Sequence, residues 1–187
     1  MDGNISDALT ITRRDLPHWQ AGGSTYFITF RLRGARSFPS GNRRRTLPGP
    51  PLTAQERRIV RDDILFWHQR RWHVHVLTVM PDHVHILATP QEEAPRRWYS
   101  LSRILASVKA GAALKINRLR GRRGSLWQSE SFDRIVRDER EFDEKAIYIL
   151  SNAVKAELVK DGWEYDGFWC DGLMDSEEKG LSGPDAQ

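Results

Sequence analysis

The sequence predicts an α+β fold of the ferredoxin-like or RRM-like kind: an antiparallel sheet in the order β-α-β-β-α-β, with helices on one face and a further C-terminal helix. Three observations predict it. Two β-rich runs, Trp72 to Val79 and His83 to Ala88, are separated only by Met80-Pro81-Asp82, which is hairpin chemistry. Helical patterns lie on both sides of that hairpin, and a strand pattern lies outside each helix. A chain of 187 residues is long enough to bury one sizeable core and too short for an eightfold β/α barrel.

Residues 1–22 are polar and irregular as far as Leu16-Pro17-His18-Trp19 and read as an arm laid on a domain spanning 23–165. Ser24 to Leu32 holds alternating aromatic and β-branched residues without a breaker, a strand pattern. Gly34 to Pro51 carries four prolines around Arg43-Arg44-Arg45 and reads as a basic loop. Thr53 with Glu56 three residues on forms a capping-box signature, and Ile59, Ile64, Phe66 and Trp67 supply apolar positions for a helix reaching Arg71. After the hairpin, a second long helix is expected from about Trp98 to Leu119, then a short strand from Ser131 to Val136. A third helix is expected from Asp138 or Glu139 to Val159, with acids in its first turn where they favour the dipole. Residues 166–187 read as an acidic, disordered tail.

The net charge of +4 conceals an asymmetry. Residues 151–187 contain three basic and nine acidic side chains, so the first 150 residues carry +10. A basic body of this kind suggests a polyanionic partner such as nucleic acid. Arg96, Arg97, Arg103, Lys109, Lys115, Arg118, Arg120, Arg122 and Arg123 occur with no acid among them, a pattern suited to tracking a phosphate backbone; Arg43, Arg44 and Arg45 are further contact candidates. Trp98, Tyr99, Trp127 and Phe132 are candidates for stacking on bases, although burial accounts better for Trp127 and Phe132. The single cysteine, Cys170, excludes an internal disulfide and any zinc site needing two cysteines. The sequence lacks phosphate-binding glycine loops, a basic-then-apolar leader and any apolar run of spanning length, which makes a cytoplasmic, nucleoid-associated protein the expectation.

Two His-x-His pairs, His73-Val74-His75 and His83-Val84-His85, each place two imidazoles on one face of a strand. His83 and His85 follow the turn at the sheet edge and suit a two-point metal clamp; His73 and His75 fit a solvated sheet face. On the third helix, Phe142, Ala146, Ile149, Ala153 and Ala156 make an apolar stripe, broadened by Ile147, Leu150, Val154 and Leu158. The opposite side reads Glu144, Tyr148, Asn152 and Lys155, so Tyr148 is the one large aromatic in a polar stripe. It is either an amphipathic tyrosine capping the core or a nucleophile. Two imidazoles, an amide and a phenol together suit phosphodiester cleavage, with a divalent ion on His83, His85 and Asn152 drawing charge from a phosphate oxygen as the Tyr148 oxygen attacks. Glu144, one turn earlier, is a candidate base.

These residues resemble the single-tyrosine HUH transposases, and within them the REP-associated tyrosine transposases. Met80-Pro81-Asp82-His83-Val84-His85-Ile86-Leu87 is similar to that family's M-P-(N/D)-H-V-H-(L/I)-L. Leu16-Pro17-His18-Trp19, Tyr26-Phe27-Ile28-Thr29-Phe30-Arg31-Leu32, Leu126-Trp127-Gln128 and Phe132-Asp133-Arg134-Ile135-Val136-Arg137 resemble other stretches of the REP-associated branch. Tyr148 to Ala156 looks like its Y-I-x-x-N-P-(V/L)-(K/R)-A helix, with Ala153 in place of the usual proline, so the helix is expected to run on. The resemblance implies His83, His85 and Asn152 as metal ligands, Tyr148 as nucleophile and Mg²⁺ or Mn²⁺ as cofactor. It implies single-stranded hairpin DNA of the repetitive palindrome kind as substrate, cut to leave a 5′-phosphotyrosine; a monomer or homodimer is the expected state. The alternatives are a non-catalytic single-stranded nucleic-acid-binding module of RRM-like fold, and a hydrolase in which both His-x-His pairs face each other across the hairpin.

Overall fold

The computed structural model describes residues 9–13, 17–34 and 50–172. Strands β1 (Leu9–Arg13) and β2 (Pro17–Ala21) form an antiparallel hairpin where the sequence suggested an irregular arm. The central sheet is antiparallel with five strands, in the order β8 (Trp127–Ile135), β3 (Tyr26–Leu32), β5 (His83–Pro90), β4 (Trp72–Val79) and β9 (Phe168–Cys170). Helices α1 (Ala54–Phe66) and α2 (Leu101–Leu119) complete the expected β-α-β-β-α-β run, followed by α3 (Glu139–Lys155). A two-stranded ribbon of β6 (Glu92–Ala94) and β7 (Arg97–Trp98), which the sequence did not reveal, precedes α2.

Strand alternation sorts the buried apolar side chains of the sheet into two cores. Ile28, Phe30, Val84, Ile86, Leu77 and Val79 point to the side where α1 contributes Val60 and Ile64, and α2 contributes Ile104, Leu105, Val108 and Ile116. Phe27, Leu87, Val76 and Met80 point to the other side, where α3 contributes Ile149 and Ala153. Both sheet faces are therefore covered by helix. On the α3 side, Thr29, His83 and His85 occupy the positions alternating with the first core's residues, which is how a sheet built of apolar side chains comes to present polar groups to a helix.

Helix α1 begins as its sequence requires. The Thr53 hydroxyl accepts from the Glu56 N–H and the Glu56 carboxylate accepts from the Thr53 N–H, a capping box worth about 1 kcal/mol. Glu56 also receives a two-pronged bond from Arg120, at 2.6 and 2.7 Å. That bond holds the carboxyl below its ordinary pKa even though burial pushes it up.

The structure revises four expectations. α1 ends at Phe66 rather than Arg71, and a turn leads into β4. β8 begins at Trp127 rather than Ser131, because pairing with β3 resumes beyond a bulge in which five residues from Trp127 to Ser131 face only three from Leu32 to Phe30. The segment expected to be a disordered tail from Asp166 instead supplies β9 on the β4 edge, held by Arg57, which donates to both Asp166 oxygens at 2.8 and 3.0 Å. Only residues 173–187 of that segment lie outside the described structure, as do residues 35–49 of the proline-rich loop with Arg43, Arg44 and Arg45. α3 ends at Lys155 rather than Val159, and Ile147, Val154 and, past its end, Leu158 are exposed instead of broadening the buried stripe, since the face of α3 turned to the sheet is the one carrying Ile149, Asn152 and Ala153.

Candidate active site

The cross-strand register puts Thr29 opposite His85, and Thr78 opposite it on the other side. His85 is buried, and its Nδ1 lies 2.7 Å from the Thr29 hydroxyl. Phe27 stacks on the imidazole with ring centres 5.4 Å apart and planes 20° from parallel. His83, two residues earlier on the same face, has its ring centre 4.7 Å from that of His85. Its Nδ1 is 2.6 Å from an Asp82 carboxylate oxygen. Arg31, across the strand pair, stands 4.0 Å from the other Asp82 oxygen.

These bonds decide which ring nitrogens remain for a ligand. An ionised carboxylate only accepts, so Asp82 fixes the His83 proton on Nδ1 and leaves the lone pair on Nε2. Asp82 is held below the ordinary carboxylate range, first by its bond to His83, against the upward push of burial. His85 is pushed down to about 3, chiefly by burial and then by repulsion from His83 and Arg31, so it is neutral throughout the physiological range. Its Nε2 is sealed from solvent and has no hydrogen-bond partner. A buried nitrogen without a partner costs free energy, on the order of 1–3 kcal/mol. A cation resting on it would remove that cost. The donor set therefore fits a divalent ion.

Helix α3 lies over this pair. Tyr148 meets His85 edge-on, with ring centres 5.2 Å apart, and meets Phe27 at 5.9 Å. Its ring is partly exposed, and the Lys155 ammonium stands 5.2 Å from the ring centre. Asn152 is buried one turn beyond Tyr148, on the face of α3 that packs on the sheet. The Ala156 N–H reaches the Asn152 carbonyl at 3.1 Å, so α3 continues through Ala153 as its lack of proline implies. The candidate base Glu144 is exposed and turned to Arg140 at 3.1 Å. Thr29, Phe27, Arg31 and Lys155 were not singled out as site residues from the sequence. Thr29 was accessible in principle, since strand alternation makes it share a face with Phe27 and Arg31.

The other His-x-His pair is elsewhere. His73 pairs with Thr89 in the register, at the far end of the hairpin from His83. The hydrolase reading, which needed both pairs to face each other, is ruled out by that register. His73 Nε2 lies 2.9 Å from Asp171 and its Nδ1 2.9 Å from the Gln69 amide nitrogen, while His75 Nε2 lies 2.8 Å from the Thr89 hydroxyl. His68, His73 and Asp171 have donor atoms close enough for a cation. The Val74 N–H, however, donates to His68 Nδ1, which leaves the His68 proton on Nε2, facing Asp171. The cluster is thus explained as a hydrogen-bonded clasp between β4 and the end of β9.

The run of unpaired cations is also revised. Arg120 pairs with Glu56, Lys115 with Asp63 and Arg97 with Glu93, because the acids missing from that stretch are supplied by α1 and by the β6 strand. Arg122 bonds Asn117 and the Ser125 carbonyl. Lys109 donates to the Gln128 and Ser129 carbonyls, groups the β8 bulge removes from the ladder. Arg96, Arg103, Arg118 and Arg123 are exposed and make no ion pair among the described residues. Trp127 is buried edge-on to Phe30, and Trp98 lies against Gly22, where a Cβ would come within 2.1 Å of the indole.

The fold and site together define an α+β domain in which a helix-borne tyrosine rests on a strand-borne pair of histidines. Comparisons with known proteins point the same way as the motifs. A Haemophilus influenzae protein named "Putative REP-associated tyrosine transposase" is 29% identical over 103 residues, which is 51% of this chain and 58% of that relative, so the chain spans little more than half of the relative's length. A solved structure of a REP-associated tyrosine transposase bound to a REP hairpin superimposes with a TM-score of 0.64 over 91% of this chain and 89% of that one, at 19% identity. No family model matches the chain. The two likenesses support the resemblance to REP-associated tyrosine transposases, and the second shows that the α+β fold is shared.

Proposed function

We propose that this protein is a metal-dependent single-stranded DNA endonuclease and strand transferase, a transposase of the HUH tyrosine type acting on hairpin DNA of the REP kind. The observation that carries the reading is the contact of Tyr148 with His85, whose buried Nε2 has no partner. The relative's name and the hairpin in the solved complex support the substrate class.

His83 and His85 through their Nε2 atoms, and Asn152 through its amide oxygen, are the residues that would hold Mg²⁺ or Mn²⁺. Bound there, the ion supplies Lewis acidity toward a non-bridging phosphate oxygen. Asp82 keeps the His83 proton on Nδ1, and the Thr29 hydroxyl engages His85 Nδ1, so both rings are oriented with Nε2 toward a ligand. Phe27 walls one side of His85 against water. In the reaction, the Tyr148 oxygen forms a bond to phosphorus, its proton passing to solvent, and the bond from phosphorus to the 3′ oxygen breaks. The 3′ oxygen leaves as a hydroxyl and the 5′ end stays on Tyr148 as a phosphodiester. One ester replaces another, so the reverse attack by a strand's 3′ hydroxyl rejoins DNA without a nucleotide cofactor.

The alternative of an RRM-like binding module is disfavoured by α3, which covers the sheet face such a module leaves open for bases. The deciding experiment incubates the protein with labelled hairpin oligonucleotides from its own genomic flanks, with Mn²⁺ or with EDTA. A protein-DNA band on a denaturing gel, present with Mn²⁺ and absent with EDTA or in Tyr148→Phe, is the expected result. Shifted complexes on native gels with no covalent band in any condition would overturn it in favour of the binding module.

A further inference from the structure

On the opposite side of the sheet from Tyr148, a cleft of about 430 Å³ opens between α2 and the bulged start of β8. Its volume lies in the range of small-molecule sites, about 300–1,000 Å³, which suits a single nucleotide unit and not a duplex. The cleft is a built feature. The bulge releases carbonyls from the ladder, and Lys109 holds two of them, Gln128 at 2.7 Å and Ser129 at 3.2 Å, together with the Ser131 hydroxyl at 3.3 Å. Leu105, Ala106 and Ala110 of α2 and Leu126 and Trp127 of β8 give it apolar walls. Glu130 lines it, and the Glu130 Oε2 is shut off from solvent with no hydrogen-bond partner. Buried carboxylate oxygens are almost always bonded, so this one is left ready to take a donor when the partly exposed Glu130 side chain turns into the cleft.

We propose that this cleft receives one unpaired nucleobase of the DNA, read by Glu130 through N–H donors on the base's Watson-Crick edge. The apolar walls suit the flat faces of a base, and the carboxylate repels a phosphate, so the base and not the backbone enters. Guanine fits best because its N1–H and N2 amino group are adjacent donors that one carboxylate accepts together; thymine offers a single N–H between two carbonyls that oppose the carboxylate. The inference rests on the nucleic-acid reading above and adds a recognition site separate from the cleaving residues.

The test titrates the full-length ¹⁵N-labelled protein with deoxyguanosine, deoxyinosine and thymidine and follows the amides of Gln128 to Ser131. Deoxyguanosine should shift them, deoxyinosine, which lacks the amino group, should bind more weakly, and thymidine should bind about tenfold or more weakly than deoxyguanosine. Glu130→Gln should abolish the discrimination. Ala106→Trp, a change at an exposed α2 position, should fill the cleft and remove the response while the helix persists. Unmoved amides with every nucleoside, or equal responses to all three, would overturn the proposal. If a Tyr148 adduct forms while these amides stay silent, only the base site fails; if no DNA binds at all, the reading beneath it fails too.

Discussion

The two ends of the β4–β5 hairpin carry the same sequence pattern and have opposite chemistry. At one end His83 and His85 have their Nδ1 atoms engaged by Asp82 and Thr29, and the Nε2 of His85 is buried without a partner. At the other, His73 is bonded through both nitrogens, to Gln69 and Asp171, and His75 reaches Thr89. A His-x-His pair on a strand becomes a candidate cation site only when its neighbours occupy one nitrogen and leave the other. The difference lies in the partners, which come from β3 and the hairpin turn in one case and from α1's exit turn, β5 and the end of β9 in the other.

The sharpest way to break the comparison is at Tyr148, which rests on only one of the two pairs. Tyr148→Phe should remove the covalent DNA adduct entirely while hairpin binding on native gels persists; an adduct surviving in this variant would detach the chemistry from His85. Next in size is Thr29→Val, which takes the hydroxyl from His85. Mn²⁺ affinity, read by titration calorimetry on the DNA-free protein, should fall about 10- to 100-fold. The matching change at the other end, Thr89→Val, should leave Mn²⁺ affinity within error. Equal losses from the two variants would mean that the ends are equivalent after all.

Acid stability gives a smaller effect. His75 is held down to about 4, first by burial and then by the positive charge of His73, against the pull of Asp171. From pH 6.5 down to about 4 the unfolded chain takes up a proton that folded His75 refuses, so stability falls as pH drops through that window. Buried His85, held at about 3, acts with the same sign. His75→Gln should flatten the fall seen in urea denaturation at pH 7, 6 and 5 without altering adduct yield. The smallest effect belongs to His73→Asn. It loosens the partly exposed bond to Asp171 and should cost under about 1 kcal/mol in the same denaturation measurement.

Much of the fold was legible because the hairpin turn, the capping box at Thr53 and the strand alternation are local signals. His83, His85 and Tyr148 were legible for the same reason, as local spacing set them on a strand face and a helix stripe, and the structure puts His83, His85 and Tyr148 side by side. What escaped reading depends on contacts between distant segments. Arg120 looked free because Glu56 lies 64 residues away, and Thr29 looked like an ordinary strand residue because His85 is 56 residues on. β9 was hidden in an acidic stretch because a three-residue edge strand has too few positions to show alternation, and its place is set by Arg57 and the β4 edge. The β8 bulge has no local marker, since two extra residues are visible only against the partner strand.

Helix α3 touches the sheet's histidines twice: Phe142 meets His75 with ring centres 5.1 Å apart, and Tyr148 meets His85 at 5.2 Å. Six residues separate these points, about 9 Å along the axis. The helix is therefore a beam on two bearings, one at each end of the hairpin, and only one fully buried large side chain, Ile149, fastens it nearby. The seating of α3 on the sheet is thus shared between the two histidine pairs, one ring contact at each end of the hairpin.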